Sequence, residues 1–144
     1  MMRFILALLF LALAFVLQFW FASFGVFINF ILAALITFAF VFDIWDVLVF
    51  ILAAIFIVNW QPAFSVEIFL VAALPLAAHL VSRYASFEPW AADSVSIFCG
   101  LLVLYLAVAP GLFIADWRMF LTDLVSCLIF GSIAFAALSR RESR

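Results

Sequence analysis

The sequence predicts an all-α integral membrane protein with about six transmembrane helices in one bundle. Of the 144 residues, 73% are hydrophobic and 10% are charged, and the mean hydropathy is +1.49. A soluble domain is about 45–50% apolar and about 25% charged. Because a soluble core of this size cannot hide so much apolar surface, lipid must be the solvent for most of the chain. The runs are apolar on all sides, which argues against the alternating pattern of a membrane β-barrel.

Six apolar segments approach the length of about 20 residues, with a range of roughly 17–25, that a helix needs to cross a bilayer. The polar stretch 82–93 is the longest predicted loop, and the whole chain is interpreted as one transmembrane domain. The third segment is the shortest, and a short span can thin the bilayer or lie deep in a bundle. The predicted spans lie near residues 4–21, 27–42, 45–59, 64–81, 94–109 and 119–138.

Residues at the ends of the segments support these spans. The first apolar run continues through Phe24, longer than the roughly 7–15 residues of a signal-peptide core, so we interpret it as a retained span. The fifth span is expected to close at Pro110-Gly111. All tryptophans fall at predicted span ends, as in the aromatic belts of membrane proteins: Trp20, Trp45, Trp60, Trp90 and Trp117.

The placement of arginine predicts that both termini lie in the cytoplasm. Arg3 precedes the first span, and Arg140, Arg141 and Arg144 follow the last. Positive residues near the ends of spans favour the cytoplasmic side. An even number of spans is then required, and six satisfies this condition. The predicted location is a cell membrane that the chain crosses several times.

The composition also disfavours several classes of function. A net charge of −2 argues against nucleic acid as a partner, since such binding needs a basic patch. Cys99 and Cys127 form neither a disulfide framework nor a CxxC metal pair. The sequence has no triad with supporting spacing, no Gly-rich phosphate loop and no HExxH motif. We therefore expect neither an enzyme nor a protein with a metal or cofactor.

The stretch from Trp60 to Arg83 carries three residues that a simple membrane anchor does not need: Glu67, Pro75 and His79. A polar group in hydrocarbon costs several kcal/mol or finds a partner. Glu67 is either a proton or cation site or a carboxylate that reaches water near the outer surface. His79, near the inner end of the same span, is either functional or interfacial. The two lie about 18 Å apart along a helix, so they cannot form one compact site.

Pro75 and a set of residues in the sixth span bear on helix packing. Pro75 should bend the fourth span near Val71, because its ring excludes the backbone hydrogen bond to the Val71 carbonyl. Asp123, Cys127 and Gly131 follow one another at intervals of four residues. Because small residues let helices approach closely, this face is predicted to pack against protein in preference to forming a ligand site.

Three isolated amides, Gln18, Asn29 and Asn59, are expected to form hydrogen bonds between helices. A binding site that uses Glu67 needs further polar groups on the outer side. Asn59, together with Gln61 in the turn before the fourth span, is the nearest candidate in the sequence.

The segment 16–35 contains three paired landmarks, Leu17-Gln18, Phe24-Gly25 and Ile28-Asn29. It resembles the N-terminal part of the rod shape-determining protein MreD family. That family has a first span that ends in Leu-Gln, a turn with Phe-Gly, and a second span that opens with Pro-Asp or Pro-Asn. Three later positions depart from the family pattern, since Asn59 stands in place of an Asp and Ala53 and Ala54 stand in place of Gly. The basic end after the last span, Ser139-Arg140-Arg141, follows the pattern.

The resemblance implies a non-enzymatic membrane scaffold in the complex that elongates the wall of rod-shaped bacteria, and thus a location in the bacterial inner membrane. Its implied partners are other integral membrane proteins of that complex, along with membrane lipids. MreD proteins are similar in fold to the substrate-binding components of energy-coupling-factor vitamin transporters, so the alternative is a subunit that binds or transports a small molecule. A transport component should hold a pocket with convergent polar groups near the outer side. A scaffold should be a filled bundle with an apolar groove facing lipid.

Overall fold

A computed structural model describes residues 1–58 and 65–139 of the chain. No β-strand occurs in these two ranges, so the all-α prediction is confirmed for them. Asn59 and the C-terminal arginines, Arg140, Arg141 and Arg144, lie outside the described residues. The helices are α1 (Met2–Ser23), α2 (Phe30–Val41), α3 (Ile44–Val58), α4 (Val66–Tyr84), α5 (Pro89–Val108), α6 (Pro110–Ala115) and α7 (Trp117–Ser139).

Four of these helices, α1, α4, α5 and α7, are long and apolar enough to cross a membrane. They indicate a membrane protein, but the prediction of six spans is wrong by this criterion. The reason is length, since α2 has 12 residues and α3 has 15. At about 1.5 Å per residue, α2 is roughly 18 Å long, against a hydrocarbon core of about 30 Å.

The short helix α2 is the centre of the bundle. It packs against α1, α3, α4, α5 and α7, and ten of its residues are buried. A helix that is apolar all round is expected to be buried in this way. Its short length is compatible with this position, because its own side chains are covered by the five surrounding helices.

The largest error in a predicted boundary concerns α5. The helix begins at Pro89, five residues before the predicted start and inside the predicted loop. Proline is favoured at the first position of a helix because its missing N–H has no partner there in any case. Pro110 uses the same preference, so the pair expected only to close the fifth span also opens the short helix α6.

The start of α1 and the end of α7 lie at the same end of the bundle. Met1 and Asp43, which follows α2, line one small cavity, so α1 begins where α2 ends. Asn29, directly before α2, bonds to Asp123 near the start of α7, so α7 runs parallel to α2. We call the end that holds Met1 and Asp43 the terminal end, and the other the opposite end. The assignment of the terminal end to the cytoplasm stays a prediction.

Candidate binding site

A cavity of about 610 Å³ lies at the opposite end of the bundle. It is enclosed where α1, α3 and α5 end and where α2, α4 and α7 begin. Pockets that take small ligands have volumes of about 300–1,000 Å³. The space is therefore large enough for a molecule the size of a vitamin.

The cavity wall is mainly apolar and carries polar side chains from four helices or their first flanking residues. Gln18 comes from α1, Asn29 precedes α2, Glu67 lies in the first turn of α4, and Tyr105 lies near the end of α5. A few polar groups on a hydrophobic wall are typical of ligand sites, where they orient the bound molecule. From the sequence, Glu67 was placed on this side, but its neighbours Gln18, Asn29 and Tyr105 were not identified as companions.

Asp123 lies behind this wall and is fully buried, at 0% exposure. Its Oδ1 accepts hydrogen bonds from the backbone N–H of Asn29 at 2.9 Å and from the Cys127 thiol at 3.2 Å. Its Oδ2 accepts from Asn29 Nδ2 and from the Tyr105 hydroxyl, the latter at 2.9 Å. An ionised carboxylate only accepts hydrogen bonds. Four donors on two oxygens therefore fit the charged form of Asp123.

The Asp123 carboxylate also fixes two parts of the cavity wall. Asn29 and Tyr105 both line the cavity, and the side chain of each donates one hydrogen bond to Asp123. The carboxylate thereby connects the start of α2 and the end of α5 to α7. Hydrogen bonds to a charged group are roughly twice as strong as neutral ones, so this connection defines the shape of the site.

The α7 face that continues from Asp123 contacts protein. Cys127 is fully buried, and Gly131 is buried one turn farther on. A Cβ atom at Gly131 would lie 2.5 Å from Ile97 Cδ1 and 3.2 Å from Thr37 Oγ1. Glycine therefore allows α7 to approach α5 and α2 closely.

Each end of α2 is capped by a side chain from another helix. At the start, Gln18 Oε1 accepts from the backbone N–H of Ile31 at 3.1 Å. Near the end, His79 Nδ1 lies 2.9 Å from the carbonyl oxygen of Ala39. The first N–H groups and last carbonyls of a helix have no partner within it. Gln18 and His79 satisfy one such group at each end of the central helix.

Glu67 and His79 lie in different parts of the molecule. Glu67 is exposed at the cavity, whereas His79 is 5% exposed and does not reach the surface. Since a carbonyl only accepts, His79 Nδ1 carries the proton, and its Nε2 has no partner among the described residues. Pro75 lies between them on α4 with its side chain buried. The bend expected at Pro75 stays a prediction.

Asp93 is a buried acid that sequence reasoning placed in a loop. It is 2% exposed, and its Oδ2 accepts one long hydrogen bond, 3.4 Å, from Thr37. Within the described part of the chain, its Oδ1 has no partner. A signal for its burial existed, because Ile97, Gly100 and Leu101 follow it at intervals of four, seven and eight residues and are buried on the same helical face.

Among residues 1–58 and 65–139, no group of three or more His, Cys, Asp or Glu side chains is arranged to hold a metal ion. The chain matches no protein-family model, no curated protein and no solved structure. The geometry of the cavity and of the buried polar groups therefore carries the functional argument.

Proposed function

We propose that this chain is a non-enzymatic membrane protein that binds a small molecule at the opposite end of its bundle, as a substrate-binding or transport subunit does. One observation carries the proposal. A cavity of about 610 Å³ brings together Gln18, Asn29, Glu67 and Tyr105 from four separate parts of the chain. A scaffold that works only through helix contacts needs no such space.

The chemistry of the wall supports binding in preference to catalysis. Apolar side chains such as Leu32, Val71 and Leu104 provide surface on which a ligand is removed from water. The Asp123 carboxylate is occupied by four donors and is closed off from the cavity by Asn29 and Tyr105. Glu67 is then the acidic group that a ligand meets first, and no reactive pair surrounds it in the described lining.

The predicted topology gives the cavity a direction. If the arginines hold the terminal end in the cytoplasm of a bacterial inner membrane, the cavity faces the outside. A molecule arriving from outside the cell then reaches it without crossing the bilayer.

The proposal is tested by thermal unfolding of the purified protein in detergent against a panel of metabolite-sized compounds. A ligand present at about 100 times its dissociation constant stabilises the folded state by about 2.7 kcal/mol, which is easily measured. Val71→Trp fills the cavity from α4 and should abolish the stabilisation. Val66→Trp makes the same change at an exposed position of α4 outside the cavity lining and should retain it.

Two outcomes contradict this function. One is that no compound in the panel stabilises the protein. The other is that the stabilisation persists in Val71→Trp, because the compound then binds elsewhere.

An MreD-like scaffold of a cell-wall elongation complex is the second candidate, and the outer face of α1 favours it. This helix packs mainly on α2 and α7, and Leu9, Val16 and Phe19 on it are more than half exposed. In a membrane, this face meets either lipid or a helix of a partner protein. Gln18 and Asn29, which carry the resemblance to MreD, join α1, α2 and α7 at one point.

The scaffold is tested by purification in mild detergent and identification of the co-purifying chains. Integral membrane proteins of wall synthesis should accompany the parent protein and be lost from Leu9→Trp on α1. Ile133→Trp, on an exposed position of α7, is the matched control. If the wall-synthesis proteins are absent, or equally present with both variants, the α1 face is not a scaffold surface.

A further inference from the structure

We infer that the ligand of the opposite-end cavity is an organic cation, a molecule with an amino or related positively charged group beside an apolar body. This inference rests on the proposed function, since it concerns the chemistry of the same cavity. It follows from counting which hydrogen-bonding atoms of the wall remain free and what charge surrounds them.

The amide of Asn29 offers an acceptor to the cavity. Its Nδ2 donates to Asp123 Oδ2, which fixes the orientation of the amide, because a carboxylate only accepts. Its Oδ1 makes no hydrogen bond with any described residue. A ligand that meets Asn29 therefore meets a carbonyl-type oxygen.

The hydroxyl of Tyr105 offers an acceptor for the same reason. Its proton points at Asp123 Oδ2, over a distance of 2.9 Å. Only the lone pairs of the oxygen remain for a molecule in the cavity. Asp123 thus leaves an acceptor oxygen available on each of the two side chains, although the second N–H of Asn29 Nδ2 also remains.

The charges around the cavity have the same sign. Glu67 is the one charged side chain in the described lining, and Asp123 lies directly behind Asn29 and Tyr105. Arg118 also lies at the opposite end, but it is exposed and outside the described lining.

The side-chain donors that remain free in the described lining are all uncharged. They are the Gln18 side-chain amide, whose Oε1 is used by α2, the second N–H of Asn29 Nδ2, and the Ser65 hydroxyl. An anionic ligand would face two carboxylates with no cation in the described wall to offset its desolvation. A cation is attracted by the charges of Glu67 and Asp123 and finds acceptors at Asn29 and Tyr105. Phe27 and Tyr105 line the same wall, and an aromatic ring attracts a cation that lies over its face.

The test compares three probes with one skeleton and different charge: 4-phenylbutylamine, 4-phenylbutanol and 4-phenylbutyrate. Thermal unfolding of the full-length protein in detergent is followed across a concentration series of each. The amine should stabilise the protein at the lowest concentration, the alcohol at a higher one, and the carboxylate at none. Glu67→Gln should weaken the amine about fivefold, the size expected for a partly exposed ion pair.

Two controls make the result specific to this site. Glu67→Gln should weaken the alcohol less than it weakens the amine, because the alcohol loses at most a hydrogen bond and no charge attraction. Glu88→Gln removes a carboxylate between α4 and α5, at the terminal end, and should leave the amine unchanged.

The cation inference and the proposed function fail in different ways. If the alcohol or the carboxylate binds as tightly as the amine, or if none of the three stabilises the protein, the cation inference is overturned. The wider panel with Val71→Trp then decides the proposed function by itself. A loss of amine binding in Glu88→Gln equal to that in Glu67→Gln also overturns the inference, since the charge effect is then not local.

Discussion

Two buried aspartates face the central helix α2 from opposite ends of the bundle, and they differ in what surrounds them. Asp123 has no exposed surface and Asp93 is 2% exposed. The carboxylate of Asp123 accepts four hydrogen bonds, two on each oxygen. Asp93 accepts one, at 3.4 Å from Thr37, and its Oδ1 has no partner in the described residues. Both carboxylates are therefore buried, but among the described residues only Asp123 has hydrogen-bond donors on both of its oxygens.

The difference indicates two different roles for the same residue type. A buried charge is tolerated when hydrogen bonds replace the water that it has lost. Asp123 meets this condition and connects α2, α5 and α7 beside the cavity. Among the described residues, the charged form of Asp93 has no comparable support, and His79 Nε2 in the same half has no partner. Both oxygens of Asp123 are thus hydrogen-bonded, whereas Asp93 and His79 each keep a buried side-chain atom without a partner in the described residues.

The largest expected effect comes from Asp123→Asn. The amide has nearly the same shape, but it replaces one accepting oxygen by an NH₂ group that faces donors. Because buried donors are left unpaired next to it, we expect a loss of about 3 kcal/mol in the free energy of unfolding. Chemical unfolding in a mixed detergent system measures this, with the exposed Asp116→Asn as the control. A loss below about 1 kcal/mol, the typical effect of an ordinary substitution, would contradict the network.

The next largest effect tests close packing beside Asp93. In Gly131→Leu, the new side chain collides with Ile97, whose Cδ1 would lie 2.5 Å from the Cβ atom. Overpacking of this kind costs about 1–3 kcal/mol. Gly111→Leu is the matched control, because no atom lies within 4 Å of a Cβ built there. Equal melting temperatures for the two variants would show that α7 does not need glycine to approach α5.

The sequence pattern predicts most of the long helices, but it does not predict the cavity or the hydrogen bonds of Asp123. Apolar runs locate the long helices because lipid exposure requires about 20 apolar residues in a row. The same rule failed for α2, since a helix buried on all sides by protein can be shorter than the bilayer. The sequence pattern also supports the burial of Asp93, because Asp93 precedes Ile97 and Gly100 at the spacing of one helical face.

The network at Asp123 depends on contacts that no local pattern encodes. Asn29 is 94 positions away from Asp123 along the chain, and Tyr105 is 18 positions away. In the sequence Asn29 is an isolated amide, for which a hydrogen bond between helices is predicted, but the partner itself is set by tertiary packing. The cavity arises in the same manner, because its described lining comes from all seven helices or the residues that flank them.

A smaller effect tests the caps on α2. His79→Leu removes the hydrogen bond to the Ala39 carbonyl, and Gln18→Leu removes the one from Ile31 N–H. Each should lower the free energy of unfolding by about 1 kcal/mol, the net value of one hydrogen bond. Of the two, His79→Leu should lie at the lower end of this range, because it also removes Nε2, which has no partner among the described residues. Hydrogen exchange at the two ends of α2 locates the effect, and a larger loss for His79→Leu would contradict this ranking.

The smallest expected effect is that of Asp93→Asn. It is the same type of substitution as Asp123→Asn, which is expected to be the most damaging. The amide oxygen can keep the hydrogen bond from Thr37, and the NH₂ group takes the place of an oxygen that has no partner in the described residues. No completed network is lost, so the free energy of unfolding should change by less than about 0.5 kcal/mol, as for most undemanding positions. Unfolding of Asp93→Asn and Asp123→Asn under identical detergent conditions measures the contrast directly. A loss at Asp93 as large as that at Asp123 would mean that the Asp93 carboxylate is held in its charged form by donors outside the described residues, and the contrast between the two ends would disappear.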